Sequence, residues 1–288
     1  MAEVTNYIDR LVAELCPDGV EYRPLESLGK RNKGTAITAS KMRSLEPGNK
    51  DLRIFAAGST FVDTDSSNIP AKDILHGPAI IVKSRGYIGF EYYEESFTHK
   101  NEMWSYTLDS NIVNKKFIYY YLLTQAYYLQ ELARSKSVKL PQLSVKDTDS
   151  LEVPVPPLEI QEAIVEILDK FTNLEAELEA ELEARTLQYE YYRDSLFEAL
   201  DCPRVPLDSF AKIKNGKTYK DFGAGNIPVY GSGGIMTYVD RFAYDKPTVL
   251  IPRKGSLGNL FYLEEPFWNV DTIFYTEIDE EQVIPKFL

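Results

Sequence analysis

Two cysteines and two histidines in 288 residues leave little material for a metal centre or a disulfide framework. Cys16 and Cys202 are each followed by proline and close corresponding apolar runs, Leu11–Leu15 and Leu196–Leu200. Both are expected at helix ends rather than bonded to each other. They form no zinc-binding spacing with His76 and His99, so no structural metal is expected. The same scarcity of histidine leaves no Ser/His/acid set to build a nucleophile around. No stretch approaches the ~18 apolar residues of a membrane span, and the first ten residues lack the basic start and apolar core of an export signal. A cytoplasmic location is the expectation. Also missing are G-x-x-x-x-G-K-[ST], a strand-bound G-x-G-x-x-G, and the Asn-Pro-Pro-aromatic or Asp-Pro-Pro-Tyr runs of amino-methyl transfer. Catalysis by this chain alone is not expected.

Positive charge is short overall, with a net charge of −12, but the deficit is local. Leu158–Leu200 holds twelve acids against three bases, a net −9, which leaves −3 for the other 245 residues. Screening confines a charge's reach to about 8–10 Å at physiological salt. Acid on one segment therefore does not exclude a polyanion elsewhere.

What is present in plenty is repetition. Arg23-Pro24-Leu25-Glu26-Ser27-Leu28 returns as Val205-Pro206-Leu207-Asp208-Ser209-Phe210, and Ile80–Gly89 returns as Val249–Gly258. In the same order, Glu94-Glu95-Ser96-Phe97 answers Glu264-Glu265-Pro266-Phe267, and Lys116-Phe117-Ile118 answers Lys286-Phe287-Leu288. An apolar fraction of 44% with 12% aromatics supports two folded cores. Short β-type runs broken by Gly and Pro fill residues 20–109. Tyr7, Ile8, Leu11, Val12 and Leu15 share one helical face, which Cys16-Pro17-Asp18-Gly19 ends. Phe117–Leu132, apolar almost all round, predicts a helix buried within a domain or against a partner, the internal core helix being the favoured reading.

Past the proline-stiffened run Val153-Pro154-Val155-Pro156-Pro157, apolar residues recur at three- and four-residue steps. Ile160, Ile164, Phe171, Leu174, Leu178, Leu182, Tyr189 and Leu196 make a heptad-like seam that needs a partner. Roughly forty helical residues at ~1.5 Å each reach about 60 Å, enough to set a distance. The seam faces another copy, another protein or water. If the repeat continued, residues after Leu288 would supply an antiparallel partner helix.

Tyr230-Gly231-Ser232-Gly233-Gly234 reads as a turn, since its counterpart Phe55-Ala56-Ala57-Gly58-Ser59 has lost two glycines. A basic pair ahead of glycine recurs as Lys83-Ser84-Arg85-Gly86 and Arg253-Lys254-Gly255, each after an apolar strand. An Arg fork or a Lys point charge at a strand end can reach a phosphate or a guanine edge, although such charges are as commonly mere solvated ends. Further basic and amide-rich loops are expected at Lys30, Arg31 and Lys33, at Lys41 and Arg43, at Lys100 and Asn101, and at Lys136, Ser137 and Lys139. Lys214, Asn215 and Lys217 occupy the place of the first group in the second unit.

Leu15-Cys16-Pro17-Asp18-Gly19-Val20, Leu140-Pro141-Gln142-Leu143, the hinge to Gln161 with its long helix, and Ile227-Pro228-Val229-Tyr230-Gly231-Ser232-Gly233-Gly234 together resemble the specificity subunit of type I restriction–modification systems. The resemblance runs from the first helix to the last residue. It implies an α/β fold of the α+β kind, with an N-terminal helix (1–19), a strand-rich first target-recognition domain (20–157), a coiled-coil-like spacer helix (158–201) and an incomplete second recognition domain (202–288). It implies that each domain reads one half of a bipartite double-stranded DNA site, while methyltransferase and restriction/translocase subunits dock alongside. S-adenosylmethionine, ATP and Mg would then belong to those partners, and none to this chain. The second domain departs from the family pattern by stopping before a counterpart of Phe117–Leu132. Self-association through the 160–196 seam is one outcome of that. A helical scaffold without a DNA role is the other reading, and it leaves the matched basic segments unexplained.

Overall fold

The computed structural model of the chain describes residues 2–45, 50–137 and 139–288. They divide into two compact units, 1–188 and 189–288, with the division inside the long helix.

The first unit opens with α1 (Ala2–Leu15), which stops where Cys16-Pro17 removes the next amide donor. Then follow β1 (Tyr22–Pro24), β2 (Gly29–Lys33), α2 (Ala39–Arg43), β3 (Leu52–Phe55), β4 (Phe61–Thr64), β5 (Leu75–His76), β6 (Ala79–Lys83), β7 (Gly89–Tyr93), β8 (Ser96–His99) and β9 (Trp104–Leu108). After these come α3 (Lys115–Lys136), α4 (Val145–Asp149), β10 (Glu152–Pro154) and α5 (Leu158–Glu198). An antiparallel sheet of order β2-β9-β6-β7 lies beside a second sheet, β4-β3-β8-β5, in which β3 and β8 run parallel.

Strand β6 is central and buried on both faces, as its unbroken Ala-Ile-Ile-Val run requires. Ile80 and Val82 join Trp104, Tyr106, Leu108 and the α3 residues Phe117, Ile118, Leu122 and Leu129 in one core. Ala79 and Ile81 point the other way, onto Phe55, Phe97 and Met103. Asn114 caps α3 by accepting from the amides of Lys116 and Phe117 at 3.0 and 3.3 Å. One face of α3 thus forms the core helix expected over 117–132, while Leu123, Tyr127 and Tyr128 of the same run stand exposed on the other.

The start of α5 belongs to the first unit. Gln161, fully buried, accepts from the Asn114 amide at 2.7 Å and donates to the Pro156 carbonyl at 2.6 Å. Asp169 accepts from Lys116 Nζ at 2.9 Å and Tyr120 Oη at 2.6 Å. Burial pushes the Asp169 carboxyl up, but these two donors outweigh it and hold the group below its ordinary range. Ile160, 1% exposed, and Ile164 pack on the unit's own core, which removes Ile160 from the seam expected to meet another chain. The reason is the hinge: Pro156-Pro157 delivers the first turns of α5 straight onto α3. From Phe171 onward the apolar positions are bare, with Leu174, Leu178, Leu182, Tyr189 and Leu196 all exposed.

The second unit contains β11 (Ala211–Asn215), β12 (Ile227–Gly231), β13 (Gly234–Val239), β14 (Thr248–Pro252), β15 (Phe261–Leu263), β16 (Trp268–Asn269) and β17 (Ile273–Ile278). Its sheets are β11-β17-β14-β15 and β13-β12-β16, again with one parallel pair, β12 with β16. Strand for strand this is the first unit: β11 stands for β2, β17 for β9, β14 for β6, β15 for β7, and β12 and β16 for β3 and β8. The Tyr244–Phe267 bridge replaces the pairing of β5 through Leu75 and Phe97. Gly231–Gly234 is the β12–β13 hairpin turn, as its composition predicts. Gly34 and Gly216 share a further constraint, since a Cβ on either would come within 2.0 Å of a backbone oxygen, that of His99 or Val270.

Candidate nucleic-acid interface

Antiparallel pairing brings the end of β2, the end of β6 and the start of β9 to one end of the first sheet, with Lys33 and Val82 both opposite Trp104. Lys33, Lys83, Ser84, Arg85, Lys100 and Asn101 gather there. The same register gathers Asn215, Lys217, Arg253, Lys254 and Asp271 at the corresponding end of the second sheet. Thr35 donates its amide to His99 O at 2.8 Å, and Lys217 donates its amide to Asn269 O at 2.9 Å, so the chain leaves both edge strands along one path.

Within the first unit most of the cations are engaged. Arg31 pairs with Asp149 at 3.2 Å, and Asp149 also accepts from Tyr106 Oη at 2.6 Å. Lys83 pairs with Glu91 and Lys100 with Glu102, both at 2.6 Å, and Lys136 pairs with Asp147. Burial raises the Glu102 carboxyl, but Lys100 brings it below its usual range. Asn101 turns its amide nitrogen to the carbonyls of Gly34 and Thr35, at 2.7 and 3.2 Å. Ser84 is buried and donates to the Glu102 carbonyl, so it braces the turn and cannot itself touch a groove. Arg85 is exposed and makes no ion pair among the described residues. Lys30 and Lys33 are exposed on β2, Lys41 and Arg43 on α2, and Lys139 and the half-exposed Ser137 follow α3.

Two corrections follow for the expected basic loops. Residues 30–33 and 212–215 are strands, β2 and β11, because each zips onto a full-length partner, β9 or β17. Both are edge strands, where lysines also guard the open edge against pairing with another sheet. In the second unit Lys214 pairs with Glu277 at 3.1 Å and Lys254 with Asp271 at 3.6 Å, while Arg253 donates to Asn215 Oδ1 at 3.3 Å and lies over the Phe274 ring.

Two residues passed over in the sequence stand at the same turn. Tyr87, 76% exposed, flanks Gly86 on the side opposite Arg85, and Gln142 forms a backbone bridge with Arg85. An aromatic beside a basic–glycine pair was the legible signal for the first. The second lies in the Leu140-Pro141-Gln142-Leu143 run that carries part of the family resemblance.

His99 is fully buried beneath this end, its ring nitrogens 3.2 Å from Ser105 Oγ and from Lys100 O. Burial pushes it down to about 4, so the ring is neutral at physiological pH. Among the described residues no group of His, Cys, Asp or Glu side chains is placed to hold a metal ion.

Two sheets of one topology, each carrying a different set of polar and cationic groups at the same end, define a protein built on an internal repeat. The family model for the type I restriction modification DNA specificity domain matches residues 17–184 and again 201–288, and the chain belongs to that family. Specificity subunits of these systems are not catalytic. The chain is 30% identical over 200 residues to the type I restriction enzyme EcoR124I/EcoR124II specificity subunit of Escherichia coli, covering 62% of this chain and 48% of that protein. It is 32% identical over 182 residues to the EcoprrI specificity subunit of Escherichia coli, covering 53% and 43%. It thus spans about half the length of the curated relatives it matches. The crystal structure of a type I S subunit from M. genitalium shares the fold, with a TM-score of 0.64 at 21% identity over 93% of this chain and 75% of that one. No helix among the described residues is long and apolar enough to cross a membrane.

Proposed function

We propose that this chain selects the DNA target of a type I restriction–modification complex, each unit binding one half of a bipartite double-stranded site. One observation carries the reading: the two sheets end in corresponding turns whose side chains differ. Arg85 stands where the other unit has Lys254, Lys100-Asn101 where it has Val270-Asp271, and Thr35 where it has Lys217. Equivalent frames with different donors suit the reading of two different half-sites, since base edges discriminate by donor and acceptor pattern. Exposed lysines on the edge strands supply phosphate contacts that position each unit.

In this reading α5, 41 residues and about 60 Å long, fixes the unread gap. Methyltransferase and restriction/translocase subunits dock on the chain in the cytoplasm, bringing S-adenosylmethionine, ATP and Mg with them. The bare positions from Phe171 to Leu196 offer a seam to a partner helix, including that of a second copy.

The test is to co-express the chain with methyltransferase subunits and map methylated adenines. Two short defined segments separated by a constant gap are expected. Methylation at the same positions without this chain would refute the proposal, and would favour a scaffold role.

A further inference from the structure

The turn that carries Arg85 and Tyr87 is set from behind by one side chain of α3. Gln130 donates from Nε2 to the Gly86 carbonyl at 3.2 Å and accepts from the Ile88 amide at Oε1, at 2.8 Å. The two bonds span the tip of the turn, taking up one carbonyl and one amide that no strand partner reaches. Gly86 sits at φ +77°, in the left-handed region that glycine tolerates and other residues resist. Two more contacts fix the flanks: Gly86 donates its amide to Pro141 O, and Leu143 donates its amide to Ser84 O, both at 2.9 Å. Ile88 is buried, whereas Arg85 and Tyr87 stand outward on either side of the glycine.

We infer that Gln130 is a specificity-determining positioning residue: it touches no DNA, but it holds the backbone from which Arg85 and Tyr87 approach a base edge. A bidentate Arg contact demands donors held in a fixed direction, whereas a phosphate contact tolerates a mobile cation. Loss of the clamp therefore removes selectivity before it removes affinity. This rests on the DNA-reading proposal above. Gln130 belongs to the first unit, whose turn alone it touches. The effect of Gln130 is accordingly confined to one half-site.

The test uses the full chain assembled with its methyltransferase subunits. Its probes are duplexes carrying the motif defined by methylation mapping, with either half-site scrambled in turn. For Gln130→Leu the preference for one intact half-site falls roughly ten-fold, the size of one well-made base contact. The other half-site and the affinity for fully scrambled duplex stay within about two-fold. Gln130→Glu separates positioning from bulk structure. Ionised, it sets a second oxygen against the Gly86 carbonyl; protonated, it again offers a donor. Partial burial and the facing Gly86 carbonyl both disfavour the charge and raise this carboxyl above its ordinary ~4.3, so the variant's selectivity recovers as the pH is lowered from about 8 to about 5, with no matching change in wild type. Unchanged half-site preference in Gln130→Leu overturns the inference, and so does equal loss on cognate and scrambled DNA or a pH-independent Gln130→Glu. A wild-type complex without half-site preference would instead overturn the DNA-reading proposal itself.

Discussion

In the first unit the turn after β6 is gripped by Gln130 of α3, by Pro141 and by the Leu143 amide, while in the second the turn after β14 is held through Arg253, which donates its amide to Thr272 O at 3.0 Å and its guanidinium to Asn215 at 3.3 Å, and through Lys254 on Asp271. The sheets beneath are the same. Ile88, under α3, is 1% exposed, whereas Leu257 and Leu260, near the corresponding place, are both 64% exposed. The cations differ as well: Arg85 makes no ion pair within 4.0 Å among the described residues and only helps Lys100 to lower the Glu102 carboxyl, whereas Lys254 lies 3.6 Å from Asp271. A fold repeated within one chain can keep its strand order while changing the donors that each copy presents at its reading end.

That contrast is broken most severely by removing the helix's hold on its sheet. Leu122 is fully buried in α3 against β6 and β9, and Leu122→Ala should cost about 2–5 kcal/mol through lost burial and the cavity left behind. Hydrogen exchange resolved by segment should show faster opening of β6 and β9 with β14 and β17 unaffected. Uniform acceleration of both sheets would mean that the units unfold as one.

A smaller effect separates the units by pH. His99 is neutral and buried, where the second unit has Asn269. Its folded value, about 4, lies below the ordinary histidine value of 6.5, so the unfolded chain takes up the proton first. Stability is thus full above the unfolded value and falls as the pH drops from 6.5 towards 4, by up to about 3 kcal/mol. Depressed carboxylates such as Asp63, Asp147 and Asp169 weaken the same unit at lower pH, as each loses its charge only on passing below its folded value. Denaturant melts of His99→Asn against wild type should show the difference in slope between pH 6.5 and 4 alone. Identical slopes would place the acid sensitivity elsewhere.

Much of this architecture was legible because it is local. Cys16-Pro17 ends α1, the 117–132 run makes the core helix, Pro156-Pro157 launches α5, and the repeated blocks mark β6 and β14 as equivalent strands. The reading end was legible only in outline. Strand pairing converts the expected loops at 30–33 and 212–215 into edges, and Arg31 finds Asp149 across 118 residues. Gln130 reaches Gly86 across 44, and Ser84 turns inward to the Glu102 carbonyl. Those contacts are set by register and helix docking, neither of which leaves a mark at the residues concerned. The same docking covers Ile160, which by spacing alone belongs to the exposed seam.

The finest test compares the two cations at the corresponding turns. Arg85→Ala in the complete methyltransferase complex should weaken cognate binding by about 1–3 kcal/mol and relax selectivity at one half-site, as expected for a fork on a base edge. Lys254→Ala should cost less. Its ammonium already shares Asp271, so removing it takes away a cation whose attraction for phosphate the carboxylate partly cancels. Asp271→Asn should then strengthen binding through the second unit and steepen its dependence on salt, because a freed lysine displaces more counterion. Titrations of the three variants across a salt series give both quantities. Equal losses for Arg85→Ala and Lys254→Ala, with Asp271→Asn silent, would show that the ion pair opens on DNA and that the two turns work alike.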